Sequence, residues 1–316
     1  MTSQKRLVYL LASLLLFALS IAPSAPAQKG DKKKEKKDKT IVTGPPILWR
    51  EPTDLATRDL SLGPTRGKLQ PDLRRVTFLK EEQGGYSTKY RVRDAAGQVW
   101  VAKIGKEAQT DVAANRLIWA VGFNCEISFL VPRVTIEGKG TFEEVRFEAR
   151  PANIERGEIW SWDNNPFVGT AEFQGLKVMM LIFNNWDIKD DNNKILIVKG
   201  EKGKEAEMRY IVSDLGGTFG KTGSFMSRSR NDIDDYVKSR FVKGVKGKFV
   251  EFNYGGKRQD LFRNITVEQA KWMGSRLAKL SNRQIADAFR SSAYSEEEVQ
   301  MLAQAFRRRI NELLNL

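Results

Sequence analysis

Two short acidic segments constrain this chain more than any other feature of its sequence, because each begins where an apolar run ends. Residues 184–192 place Asp187 five positions before the amide of Asn192, and residues 212–220 place Asp214 two positions before a pair of glycines. The apolar runs that separate the two segments predict a β-hairpin. We therefore expect both segments to lie close together in the fold.

The predicted elements run from strands to helices along the chain. Alternating apolar and polar residues predict an antiparallel sheet, and apolar residues at helical spacing predict one helix within it. The strands are 76–80, 86–92, 99–104, 131–136 and 144–149, and the helix is 108–121. We predict an α+β fold with two lobes: an antiparallel N-terminal lobe with one helix, residues 73–165, and a mostly helical C-terminal lobe, residues 166–316.

In the C-terminal lobe an apolar helix ends near Phe183, and three later helices begin at capping boxes. In a capping box, a Ser or Thr and a Gln or Glu three residues later satisfy each other's backbone amides. The pairs are Thr266 with Gln269, Ser281 with Gln284, and Ser295 with Glu298. The last helix has an apolar stripe over residues 299–313. Arginines 307–309 lie largely off that stripe, so we predict that they form a solvated face.

The chain of 316 residues contains no histidine, which excludes several kinds of chemistry. Ser-His and Cys-His nucleophiles, imidazole general bases and the usual zinc sites all need that side chain. Catalysis is then left to carboxylates, Lys, Ser, Tyr or a metal bound through oxygen. The single cysteine, Cys125, cannot form an internal disulfide, and we expect it to be buried and unreactive.

The first 27 residues have the pattern of a secretory signal peptide. Lys5 and Arg6 precede an apolar stretch at 7–21, and small residues lead up to Ala27. We expect cleavage after Ala27 and an extracytoplasmic location, periplasmic or secreted. The alternative is a membrane anchor formed by residues 7–21, although that stretch is short for a membrane span.

Residues 28–72 begin with a lysine-rich run and lead into the first strand. Seven lysines and no aromatic residue occur between positions 28 and 40, a composition that predicts a disordered, solvated linker. The linker is either a spacer or an arm that binds anionic lipid or polymer. The formal net charge of the chain is +14, but basic and aromatic residues do not alternate in clusters, so we do not expect nucleic acid as a partner.

In order and spacing, these features resemble the protein-kinase-like superfamily. The resemblance is to its atypical branch, which includes HipA-type toxin kinases, phosphatidylinositol-kinase-like enzymes and secretory-pathway kinases. Those families share an Asp, an Asn about five residues on, a hairpin, and a loop similar to Asp-x-Gly-x-x-Phe-Gly. Asp187, Asn192 and residues 214–220 match that pattern. Upstream, residues 101–104 resemble the third-strand lysine motif of those families, with Lys103 as its lysine. The resemblance implies a two-lobed protein-kinase-like fold.

The resemblance also implies a reaction, in which a phosphoryl group passes from ATP to a hydroxyl of a protein, lipid or carbohydrate acceptor with the help of Mg²⁺. In that reading Lys103 neutralises the phosphates and Asp187 accepts the hydroxyl proton. Asn192 and Asp214 supply the oxygen ligands that Mg²⁺ prefers. The acceptor itself is not identified by any motif.

Three further residues are expected to assist nucleotide binding. The turn at Gly84 and Gly85 allows backbone amides to approach the phosphates. Asp111 stands on the predicted helix where the resemblance leads us to expect a Glu that pairs with Lys103, and Glu107 is expected to be less well placed for that pairing.

Departures from the family pattern keep other functions open. Asp111 is shorter than the usual Glu, and Trp186 replaces the common polar neighbour of the base. The alternatives are a catalytically inactive pseudokinase, an envelope protein that binds a partner through its basic surface, and a structural secreted protein of unrelated α+β fold. Taken alone, residues 187–193 are also compatible with a solvated turn or a calcium loop, although the closing Glu of an EF-hand is missing.

Overall fold

The computed structural model describes residues 44–84, 87–200, 205–224 and 226–316. The signal peptide, the lysine-rich run up to residue 40 and Gly85 lie outside these ranges, so what was predicted for them stays a prediction. The same holds for the boundary between lobes at residue 165. Within the described ranges, no helix is long and apolar enough to cross a membrane.

The described ranges contain eleven strands and six α-helices. The strands are β1 (Pro46–Ile47), β2 (Thr77–Glu81), β3 (Lys89–Arg93), β4 (Val99–Lys103), β5 (Ser128–Ile136), β6 (Gly140–Ala149), β7 (Ile154–Arg156), β8 (Asn193–Val198), β9 (Glu207–Val212), β10 (Val242–Lys246) and β11 (Phe249–Phe252). The helices are α1 (Glu107–Ala120), α2 (Ala171–Ile182), α3 (Ile233–Lys238), α4 (Val267–Ala278), α5 (Asn282–Arg290) and α6 (Glu296–Leu314).

The N-terminal sheet is antiparallel throughout, with the strand order β2-β3-β4-β6-β5. Successive side chains of a strand point to opposite faces of a sheet. One face buries an apolar core that includes Val92, Trp100 and Phe147, and the other carries charged residues. Helix α1 packs against β5 and β6. The predicted antiparallel sheet with one helix is confirmed.

A second sheet has the order β1-β9-β8-β7. Its centre is the predicted hairpin of β8 and β9, whose register pairs Asn193 with Val212 at the end nearest both acidic segments. Strand β1 lies parallel to β9, and the chain that follows it buries Leu48, Leu55 and Leu60 in the larger core. Strands as short as β1 and β7 carry no readable periodicity, which explains why they were not predicted.

The C-terminal half is helical around that larger core, and all three predicted capping boxes form. The expectation that everything after the second acidic segment is helical is wrong for residues 242–252. There, β10 and β11 form an antiparallel hairpin that turns at Gly247, where φ is +59°. The molecule is thus α+β with an antiparallel N-terminal sheet and a mostly helical C-terminal part, as predicted.

The prediction of a solvated face at residues 307–309 is wrong for Arg309, which is fully buried. Its guanidinium donates hydrogen bonds to the carbonyl oxygen of Ile182 at 2.8 Å and to Oδ1 of Asn184 at 2.9 Å. The last carbonyls of a helix have no partner within that helix, and Arg309 satisfies one at the end of α2. This contact fixes the point at which the chain enters the first acidic segment.

Candidate functional site

Lys103 is the last residue of β4 and one of three cations in a row across the sheet. The strand register pairs it with Lys89 on β3 and with Arg146 on β6, and directly paired residues point to the same face. Only 2 % of Lys103 is exposed. Burial, together with the charge of Lys103, lowers the pKa of Lys89. A buried ammonium group requires anionic partners, and these come from two other elements.

The partners of Lys103 are one carboxylate from the second acidic segment and two from α1. Its Nζ lies 2.8 Å from Oε2 of Glu107, 3.3 Å from Oδ1 of Asp214 and 3.8 Å from Oδ2 of Asp111. The prediction that Asp111 is the better placed helix partner is therefore wrong. Glu107 is the first residue of α1, four positions after Lys103, and its longer side chain reaches the ammonium directly.

Asp111 has another partner, Arg146, which was not among the residues predicted for the site. The Arg146 guanidinium lies between the carboxylates of Asp111 and Glu148, and all three side chains are buried. Burial raises the pKa of Asp111 to about 6, against the opposing influence of Arg146 and Lys103. Asp111 therefore links α1 to β6 through Arg146. Its distance of 3.8 Å from Lys103 is the longest of the three carboxylate distances.

The first acidic segment holds Asp187 among cations. Oδ1 of Asp187 lies 2.5 Å from Nζ of Lys257, and Oδ2 lies 3.2 Å from Nζ of Lys189. Its backbone N–H donates to Oδ1 of Asn185 at 3.1 Å. The side chain of Asp187 is 21 % exposed, so the carboxylate is oriented by the protein and still open to a reactant.

The two acidic segments contact each other directly, as predicted from the hairpin between them. The side-chain amide of Asn192 donates to the carbonyl oxygen of Asp187 at 2.8 Å. The carbonyl oxygen of Asn192 in turn accepts from the backbone N–H groups of Ser213 at 2.6 Å and Asp214 at 3.3 Å. Asp187, Asn192 and Asp214 consequently belong to one site.

The glycine pair after Asp214 allows this close approach. A Cβ atom on Gly216 would lie 2.8 Å from Cβ of Glu107, and one on Gly217 would lie 3.1 Å from Cβ of Asp187. The backbone N–H of Gly216 also donates to Oδ1 of Asp214 at 3.1 Å. Larger residues at these two positions would push α1 and the first acidic segment away from Asp214.

Gly84 stands apart from this cluster in the structure. It is exposed with φ at +94°, and a Cβ atom there would meet nothing within 4 Å. The one link to the site is Lys89, whose Nζ donates to the carbonyl oxygen of Gly84 at 2.9 Å. A role of Gly84 in nucleotide binding stays a prediction, as does that of Gly85.

Asp214 and Asn192 fit a magnesium ion, because each leaves a side-chain oxygen available as a ligand. Both contacts to the Asp214 carboxylate reach Oδ1, and among the described residues its Oδ2 has no hydrogen-bond donor. The Asn192 amide uses its nitrogen toward Asp187, which leaves its oxygen for a ligand. Burial alone would raise the pKa of Asp214, but Lys103 and Arg146 hold it below its ordinary value. Within the described ranges, no group of three or more acidic or cysteine side chains forms a further metal site.

Four residues of the site were missed or underrated from the sequence: Glu107, Arg146, Lys189 and Lys257. Glu107 was identifiable, because it lies four positions after Lys103 and begins α1. Lys189 was also identifiable, because it lies two positions after Asp187 in the same segment. Arg146 and Lys257 have no local signal, since strand register and a loop far along the chain bring them to the site.

No known family profile and no curated protein sequence matches the chain. Two solved structures are similar in fold. A proinflammatory kinase of Helicobacter pylori, CtkA, has 12 % identity and a TM-score of 0.47, with 78 % of this chain and 97 % of that chain covered. The Rio2 kinase of Chaetomium thermophilum, in a complex with ADP, Mg²⁺ and phosphoaspartate, has 12 % identity and a TM-score of 0.31, with 76 % and 72 % covered.

Proposed function

We propose that this protein is a magnesium-dependent phosphotransferase of the atypical kinase type, which transfers the γ-phosphoryl group of ATP to a hydroxyl. One observation carries the proposal: Nζ of the buried Lys103 lies within 3.3 Å of both Glu107 and Asp214, and hydrogen bonds join Asp214 to Asn192 and Asn192 to Asp187. A phosphate-binding cation, two oxygen ligands for a metal and a carboxylate base are the groups that this reaction needs.

Each group has a defined task in the reaction. Lys103 places its positive charge beside the phosphates of ATP. The ammonium group needs to move little for this, because Glu107 already positions it. Asp187 accepts the proton of the acceptor hydroxyl as that oxygen bonds to the γ-phosphorus and the bond to ADP breaks. Asp214 and Asn192 would hold Mg²⁺, which neutralises phosphate charge when bound.

The cations around Asp187 support its assignment as the base. Lys257 and Lys189 hold its two oxygens in place, and a carboxylate already oriented toward a reactant loses little freedom on catalysis. Lys189 is 41 % exposed and Lys257 45 %, so either ammonium can also meet the negative charge of the transferred group. The export signal and the identity of the acceptor remain proposals from the sequence alone.

Nucleotide binding is the first test of this assignment. With ATP and Mg²⁺ at a hundredfold excess over Kd, Tm is expected to rise by about 5 °C, and Asp214→Asn is expected to lose most of that rise because it removes the charged metal ligand. Differential scanning fluorimetry with and without Mg²⁺ measures both.

Asp234→Asn is the matched control, since Asp234 is an exposed carboxylate on α3 that pairs with Lys238. A wild-type protein that shows no Mg²⁺-dependent shift would remove the phosphotransferase assignment. A normal shift without transfer to any acceptor would instead identify a nucleotide-binding pseudokinase.

A further inference from the structure

A groove beside the β10–β11 hairpin is not used by the chemistry proposed above. Its volume is about 690 Å³, and its walls are the hairpin itself and the chain from Tyr254 to Arg263. We call it the hairpin groove. It is partly open to solvent.

The rim of the hairpin groove is basic. Lys243, Lys246 and Lys248 are all exposed on it, and none of them forms an ion pair with a described residue. Arg263 adds a fourth cation, and Glu251 is the one acidic residue of the lining. Cations held together without neutralising partners raise the local concentration of anionic ligands.

The floor of the hairpin groove is aromatic. Phe249, Phe252, Tyr254 and Phe262 contribute to it, and the rings of Tyr254 and Phe262 meet edge to face with centroids 4.6 Å apart. Phe249, Phe252 and Tyr254 are half-buried and Phe262 is buried. Accessible aromatic rings inside a charged rim are typical of protein-binding surfaces, where they supply much of the affinity.

Tyr254 connects the hairpin groove to the proposed base. Its hydroxyl donates to the carbonyl oxygens of Asn185 at 2.8 Å and Lys257 at 2.9 Å. The backbone N–H of Lys257 donates to the carbonyl oxygen of Trp186 at 2.9 Å, and its ammonium pairs with Asp187. A ligand in the groove would therefore lie against Tyr254, which itself contacts the segment that presents Asp187.

We propose that the hairpin groove docks an acidic peptide segment of the acceptor, an inference that rests on the proposed phosphotransferase function. The charge of the rim selects carboxylates, and the aromatic floor can bury apolar side chains that stand between the carboxylates of a peptide. A polyphosphate has no apolar side chains, so the aromatic floor would not add to its affinity. Strand β10 is an edge strand with β11 as its sole described neighbour. Side chains of Arg240 and Glu312 occupy the backbone groups of Val242 and the carbonyl of Lys243, so an extended peptide can add backbone hydrogen bonds only to the later residues of the strand. The acceptor is accordingly a protein whose target hydroxyl lies near acidic residues.

Binding is measured by fluorescence anisotropy on the full chain, with a labelled peptide of alternating Glu and Phe and no nucleotide. Lys246→Ala with Lys248→Ala removes two charges at the exposed hairpin turn, and it should weaken binding roughly fivefold at low salt. The matched control is Lys68→Ala with Lys271→Ala, which removes two exposed charges outside the groove and should leave the affinity unchanged. Added salt should weaken the wild-type complex.

An equal loss of peptide affinity in the groove variant and in the control variant would overturn the proposal and indicate nonspecific charge attraction. Tighter binding of polyphosphate or of phosphatidylserine vesicles than of the peptide, with the same loss in the groove variant, would overturn it in favour of an anionic polymer or a membrane. The assay contains no ATP, so peptide binding without any transfer activity would reject the phosphotransferase function and retain the docking site. Transfer activity without peptide binding would reject the docking site alone.

Discussion

Replacing Asp187 with Asn is expected to lower kcat by about a thousandfold, within the range found for a positioned general base, while nucleotide binding is retained. Asn has nearly the same shape as Asp but cannot accept the hydroxyl proton. The proposed metal ligands Asn192 and Asp214 keep their own contacts, because Asn192 bonds to the backbone carbonyl of Asp187 and not mainly to its side chain. Radiolabelled phosphate transfer gives kcat, and fluorimetry with ATP and Mg²⁺ gives the retained binding.

The matched control for this experiment is Asp191→Asn in the same segment. Asp191 is exposed and lies within four residues of Asp187, so it reports any general effect of lost negative charge on this loop. We expect its kcat to stay within about twofold of the wild type, as for most surface substitutions. Comparable losses in both variants, or full activity of Asp187→Asn, would show that Asp187 is not the base.

The parts of this site that were predictable depend on local signals. Capping boxes join residues three apart. The hairpin between the acidic segments shows in its two apolar runs, so the chain itself indicates that Asp187 and Asp214 are neighbours. The order of Lys103 before both segments also fits the observed contacts.

The parts that were not predictable depend on contacts between distant residues. Arg309 was expected to be solvated because it lies beside the apolar stripe of α6, yet it is buried against the end of α2, 127 positions earlier in the chain. Arg146 alternates with the apolar residues Val145 and Phe147, so its strand predicts a cation on the face away from the apolar core, yet Arg146 is buried between two carboxylates. In both cases a buried guanidinium satisfies partners whose position only the tertiary fold determines.

The hairpin groove differs from both groups of residues, because the sequence contained a signal for its hairpin that the prediction did not use. Val242 and Val245 precede Gly247, and Phe249, Val250 and Phe252 follow it, so residues typical of strands stand on both sides of a glycine turn. That pattern indicates a hairpin. Its basic residues were instead attributed to a general basic surface.

Arg146→Met is expected to lower the free energy of unfolding by about 3 to 5 kcal/mol, the usual cost of removing one partner from a buried ion pair. Met fills a similar volume but leaves the buried carboxylate of Asp111 without its main cation, because Lys103 is 3.8 Å away. Glu148 is less affected, because Arg150 and Arg156 also reach it. Urea unfolding, followed by circular dichroism, measures the change.

A double-mutant cycle separates the ion pair from a simple loss of packing. Asp111→Asn removes the charge that Arg146 neutralises, so the variant with both changes should regain roughly 1 to 3 kcal/mol relative to the sum of the single effects. Arg133→Met is the control on the same sheet, since Arg133 is 73 % exposed and lies 3.8 Å from Glu143, and its cost should stay below about 0.5 kcal/mol. Strictly additive single effects would mean that Arg146 stabilises the sheet by packing alone, and that α1 does not depend on this ion pair to present Glu107 to Lys103.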